Sequence, residues 1–320
     1  MAITTYKSSD ASAPSIARAA GDLITLLDAV LVNGYGSKSA AGWTKEYSGT
    51  NKAVYKQGTG SSGKYLRVVD DGTDYCGGAV ADIQVSDGAS GIDTVTGVSI
   101  GATTATYYIH KPDSVANRGS WVMYADSKAF YLLTQRAPTT AVTDSHVSYS
   151  VSFFGDAISY APTTDAYRFF TLSDQSSSPS SSVPLYSMST TALGGVPGGF
   201  HGDPSGRWDN GITTYLCSGH PGFMDQVVYP SYIAKGLLAF PVYLVHSSVL
   251  RSGPEVRGRL PGVFVAPFSS TSQFYIKNGD SFTFSSGDLN GKTLEARYIL
   301  GGGAYGGRLA LFETSNTWGN

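Results

Sequence analysis

The sequence predicts a mainly β protein, an antiparallel β-sandwich or barrel with one short N-terminal α-helix and long Gly/Ser-rich loops. Three observations carry this expectation. Beyond Gly42 the apolar residues recur with period two in short runs rich in Val, Tyr, Phe and Thr, the signature of a strand whose side chains point alternately to opposite faces. Gly, Asp, Asn and Ser separate the runs at short intervals, which favours antiparallel neighbours over the long crossovers of an α/β fold. Helical spacing is clear only near the start.

There, Leu23, Leu26, Leu27, Val30 and Leu31 recur at helical spacing, and Asn33-Gly34 follows as a stop. Gly34 suits a left-handed C-cap because it has no Cβ to clash. The expected element, Leu23 to Leu31, is an amphipathic helix with its apolar stripe packed on the N-terminal strands. Trp43 to Tyr47, Ala53 to Gln57 and Tyr65 to Val69 then read as a meander, turning at Ser48-Gly49-Thr50-Asn51 and at Gly58 to Gly63. Further strands are expected at Ala79 to Val85, Thr106 to Ile109, Trp121 to Tyr124, Phe130 to Leu133, Val147 to Phe154 and Tyr167 to Leu172. A second group falls within Leu237 to Leu250, Val263 to Ala266, Phe274 to Lys277, Phe282 to Ser285, Leu294 to Ile299 and Leu309 to Phe312.

Between the two groups, Ser173 to Pro184 reads SDQSSSPSSSVP, too poor in apolar area to offset the entropy of ordering it. Gly194 to Gly222 is loaded with Gly, Pro and isolated aromatics and reads as a long irregular excursion. The organisation expected is therefore a helix plus β-rich region over 1–172, a loop or protrusion over 173–236, and a C-terminal β region over 237–320 that completes the same body.

Composition narrows the function classes. Of 320 residues 41% are hydrophobic, enough for a buried core, and 14% are charged, with a net charge of -2. Such a chain has no basic field for a phosphate backbone, so direct nucleic-acid binding is not expected. The most apolar stretches, Leu23 to Val32 and Leu237 to Val245, fall short of the roughly 20 residues of a spanning helix, so membrane insertion is not expected either. Met1 to Ser15 lacks a basic segment followed by an apolar one, which points to synthesis in the cytosol. Cys76 and Cys217, the two cysteines, are expected as buried free thiols.

No constellation organises into an active site. Gly34-Tyr35-Gly36-Ser37-Lys38 has the wrong spacing for a phosphate loop and follows a helix instead of opening one. His201, Asp203, Asp209, Cys217 and His220 form the tightest group of metal-ligating types, but they lack the two closely spaced pairs of a structural zinc site. Asp70-Asp71, Asp87, Asp203, Asp280 and Asp288 sit beside Gly or Pro, where Asp forms turns. The expectation is a chain that is no enzyme and has no cofactor or metal. The 21 tyrosines and 14 phenylalanines are expected to pack strands, with some left for subunit contacts or for stacking on sugars.

The stretch LLDAVLVNGYGSKSAAGWTKEYSGTNKAVYKQG with KYLRVVDDG, Leu26 to Gly58 and Lys64 to Gly72, resembles a recurrent block in virion structural proteins of tailed bacteriophages. The likeness is tightest over Leu31 to Thr44, LVNGYGSKSAAGWT, and looser over Trp121 to Leu133 and Arg257 to Pro267. It does not extend to residues 173–236. The resemblance implies a structural component made in the host bacterial cytoplasm and assembled into the virion, most readily in the tail, baseplate or collar, with itself and other virion proteins as partners. A capsid decoration protein and a receptor- or carbohydrate-binding module, with a host-surface glycan as partner, are the alternatives. Within the block, Tyr35, Lys38 and Trp43 are the candidate assembly contacts; the other reading is that they and the glycines shape the helix-to-sheet corner.

Overall fold

Short alternating runs joined by turn residues produce the strands that the computed structural model contains; it describes residues 2–75, 78–97, 107–112, 119–135, 149–160, 168–172, 174–175, 198–200, 214–217, 240–246, 255–265, 276–285, 289–299, 308–315 and 318. The chain opens with β1 (Thr4–Lys7) and α1 (Asp22–Leu27), which widens into a π-helical stretch over Asp28–Asn33. The meander β2 (Thr44–Gly49), β3 (Lys52–Lys56) and β4 (Tyr65–Val69) follows. After it come β5 (Asp74–Tyr75), β6 (Gly78–Ser86), a small hairpin of β7 (Gly88–Gly91) and β8 (Thr94–Thr96), and β9 (Tyr107–His110). The middle of the chain supplies β10 (Trp121–Ala125), β11 (Ala129–Thr134), β12 (Ser150–Asp156), β13 (Ile158–Ser159) and β14 (Phe169–Leu172). Three short strands come next, β15 (Asp174–Gln175), β16 (Gly198–Phe200) and β17 (Thr214–Cys217). The C-terminal part adds β18 (Phe240–His246), β19 (Glu255–Val265), β20 (Ser281–Thr283), β21 (Thr293–Ile299) and β22 (Arg308–Glu313).

These strands make three large antiparallel sheets. The central one runs β1-β10-β11-β12-β14-β16, the second β15-β9-β6-β4-β3-β2, and the third β17-β18-β19-β22-β21-β20, with β13 paired to β19. Period-two alternation on the central sheet feeds two separate cores. Tyr6, Trp121, Met123, Phe130, Leu132 and Phe154 meet Tyr55, Leu66, Val68, Ile83 and Ile109 of the second sheet. Tyr124, Tyr131, Leu133, Phe153 and Phe170 turn the other way and meet Val242, Leu244, Leu260, Val263 and Phe312 of the third. The sandwich therefore has three layers, and its middle sheet is buried on both faces. This is why WVMYA of β10 and AFYLLT of β11 are near-continuous apolar runs, since neither face needs a polar side chain.

The helix lies where its periodicity places it. Leu23, Leu26, Leu27, Val30 and Leu31 have no exposed surface and join the core between the central and second sheets. Fully burying a side chain of this size is worth about 1.5–3 kcal/mol. The C-terminal end differs from the expected left-handed cap: Gly34 has φ 77 and ψ 170, outside the left-handed helical region. A Cβ there would stand 2.5 Å from the Lys38 carbonyl oxygen, so glycine is required for close approach as well as for its positive φ. The carbonyls of Val30 and Leu31 are satisfied by the returning chain, through N–H groups of Ala41 at 2.9 Å and of Gly42 and Trp43 at 3.1 and 3.0 Å.

The central segment also departs from expectation. Its described pieces do not stand apart from the body: β15 pairs with β9, β16 with β14 and β17 with β18, so the segment contributes an edge strand to each large sheet. The expected strand at Phe274 to Lys277 is not formed by its two described residues, Ile276 and Lys277, which precede a turn. In the other direction, β1, the hairpin β7–β8 and the first half of β19 were not expected as strands. Among the described residues, one buried cluster joins Tyr124 and Tyr131 to Val242 and Phe312.

Candidate functional site

The block Gly34 to Trp43 leaves the helix and folds back along β1. Tyr35 and Lys38 exchange backbone hydrogen bonds of 3.0 and 2.8 Å, closing a tight turn through Gly36-Ser37. Gly36, at φ 53, lies so close to the preceding loop that a Cβ would meet the Ala11 carbonyl oxygen at 2.6 Å. The glycines thus let this turn approach its neighbours at backbone distance.

Side chains fasten the turn to β1. Tyr35 Oη donates to Asp10 Oδ2 at 2.9 Å, and its ring lies 6.0 Å from Tyr6 and 6.3 Å, edge-on, from Trp121. Burial and the adjacent Asp10 carboxylate push the Tyr35 phenol well above its ordinary range. Lys38 Nζ donates to the Thr5 carbonyl at 2.9 Å and stands 3.8 Å from Asp10. Tyr6 Oη donates to the Ser39 carbonyl at 2.7 Å. Trp43 is 3% exposed; its Nε1 donates to the Asp126 carbonyl at 2.9 Å and its ring packs edge-on against Phe130. Of the three candidate contacts, Trp43 is committed to the interior, whereas Tyr35 and Lys38 are half-buried and bonded within the corner.

Three buried polar clusters were not singled out from the sequence. Asp70, expected as a turn former, is a core residue: its side chain and that of Lys111 are both fully buried and paired. Lys111 Nζ also donates to the carbonyls of Ala19 at 2.7 Å and Arg18 at 3.2 Å, which satisfies all three ammonium protons. The other Asp70 oxygen accepts the Leu23 N–H at 2.9 Å, supplying the helix N-terminus with the acceptor that Gly21 cannot. Burial pushes the Asp70 carboxyl up, against the pull of Lys111 and the amide. Its neighbour Asp71 does form a turn, accepting the Thr73 N–H at 2.9 Å.

Asp156, at the end of β12, accepts from Gln57 Nε2 at 3.0 Å, Ser62 Oγ at 2.6 Å, Ser62 N at 2.8 Å and Arg168 Nε at 2.7 Å, tying the central sheet to the β3–β4 loop. Between the central and third sheets, Glu295 accepts from Tyr124 Oη at 2.9 Å, from Lys7 Nζ at 2.9 Å and from Arg297. Asp156 takes four donors, Glu295 three and Asp70 two, and each set joins distant parts of the chain. Chemically, such groups fix the layers relative to one another.

Among the described residues no three His, Cys, Asp or Glu side chains are grouped to hold a metal ion. His201, Asp203, Asp209 and His220 lie outside the described residues, as do Cys76 and Asp288. Cys217 is the last residue of β17. No helix among the described residues is long and apolar enough to cross a membrane, and the one large apolar side chain they expose is Tyr160. No protein-family profile and no curated protein sequence matches this chain.

Proposed function

We propose that this chain is a structural, non-catalytic component of a tailed-bacteriophage virion, placed in the tail, baseplate or collar and acting by assembly with itself and other virion proteins. The observation that carries the reading is the place of the block that resembles virion proteins. Leu31 to Thr44 is the joint at which the helix, the central sheet and the second sheet meet. A segment of that kind sets the shape of a rigid body, and a rigid body is what a particle built from repeated contacts needs. The buried, hydrogen-bonded carboxylates support the same reading, because they lock the layers together.

The test is made in particles, since virion components often associate only on their template. Intact virions would be cross-linked and imaged with a label on this chain. The expected result is contacts to itself or to another particle protein at a symmetric position below the head. Absence from the purified particle would overturn the reading. Location on the head would move it to a decoration protein, and loss of cell adsorption on masking residues 194–230 would move it to receptor recognition.

A further inference from the structure

Among the described strands, β1 is the outermost of the central sheet on the helix side. Its register with β10 places Tyr6 opposite Met123, and Ser8 N donates to the Trp121 carbonyl at 3.0 Å. In an antiparallel pair alternate residues turn their N–H and C=O groups to the partner. Tyr6 and Ser8 therefore face β10, while Thr5 and Lys7 present theirs to the open side. Such an edge is a template for another strand.

The Thr5 carbonyl and both Lys7 backbone groups are occupied by side chains and by a turn. Lys38 Nζ donates to the Thr5 carbonyl at 2.9 Å. The Lys7 N–H donates to Asp10 Oδ2 at 2.8 Å, and the Lys7 carbonyl accepts the Asp10 N–H at 3.0 Å. Tyr35 Oη holds Asp10 from the other side at 2.9 Å. Lys38 and Asp10, 3.8 Å apart, attract each other across the edge. We propose that Lys38, Asp10 and Tyr35 form a clamp that closes the β1 edge and keeps copies of this chain from pairing β1 to β1. The occupant it excludes is a second copy, because that strand is present wherever the protein is made and two antiparallel copies of one edge are self-complementary about a two-fold axis. The inference does not rest on the virion reading, since it concerns the free chain.

The experiment compares the full chain with the double variant Asp10→Ala/Lys38→Ala by sedimentation velocity over a concentration series. The double variant is expected to self-associate at concentrations about tenfold lower than the parent. Adding Thr5→Pro removes the outward N–H at the edge while leaving every β1–β10 bond in place, and it is expected to restore the parent's behaviour. Thr5→Pro alone, melting like the parent, serves as the folding control. Lys38→Met keeps the Asp10 and Tyr35 bonds and should shift association in the same direction by less, so the test survives if the double variant unfolds. A folded double variant that sediments like the parent, or association that Thr5→Pro does not reverse, overturns the clamp.

Discussion

Lys111 is a cation with no exposed surface, held by one carboxylate and two carbonyls. Moving an ammonium out of water costs several kcal/mol, and a complete set of partners offsets that cost only while every member is present. Lys111→Met leaves Asp70 as an unpaired buried acid and is expected to destabilise the fold by about 3–5 kcal/mol. Adding Asp70→Asn removes that charge and keeps an acceptor for the Leu23 N–H, so the double variant should recover a substantial part of the loss. Urea unfolding of the two variants and the parent checks this. Equal midpoints for Lys111→Met and the parent would mean that the pair contributes nothing.

At the scale of elements, the helix is fixed by what it packs on. Leu27 lies with no exposure in the core between the central and second sheets, so Leu27→Asp buries an unpaired charge and is expected to cost several kcal/mol, about 3 or more. An unchanged thermal melt would place that face of the helix at the surface. A second expectation concerns the central segment. Its strands β15, β16 and β17 each close an edge of a different sheet. Replacing residues 173–217 with a flexible Gly-Ser connection should leave β9, β14 and β18 as open edges and cause self-association and low soluble yield. A monomeric, cooperatively melting product would show that those edges need no cover.

For the molecule as a whole, the buried tyrosines set a limit on alkaline stability. Burial pushes Tyr6 up to about 12, and it holds Tyr35, Tyr55, Tyr124 and Tyr131 above the usual phenol range as well. Above pH 10 the unfolded chain releases these protons and the folded chain keeps them. The folded state then binds more protons, and stability falls as pH rises. Each tyrosine contributes up to about 1.4 kcal/mol per pH unit between its unfolded and folded values, nothing below that window, and domains of this kind have about 5–15 kcal/mol to lose. Unfolding is therefore expected between about pH 10 and 12, with phenolate absorbance and loss of circular dichroism rising together. Full phenolate absorbance on an intact fold would contradict it.

The mainly β character, the antiparallel meander β2–β4 and the buried helix stripe were legible in the sequence, because they follow from spacing along one segment: Leu23, Leu27 and Val30 face one way whatever they meet, and Asn51, at φ 54 in the β2–β3 turn, is a residue type that tolerates that conformation. Sequence spacing could not separate Asp70 from Asp71. The two share a turn-like context, and only the arrival of Lys111, 41 residues later, makes one a buried ion and leaves the other a surface turn. The three-layer stack was equally out of reach, because a nearly continuous apolar strand such as β11 records that both its faces are covered and not by which sheets. Likewise β16, reading Gly-Gly-Phe, has no strand signal of its own and is a strand because β14 offers it an edge. Local propensity and periodicity depend on neighbours in the chain, so the sequence determined them. Pairing across the fold depends on which groups are brought within hydrogen-bonding distance and sealed from water, and that was decided by the tertiary structure alone.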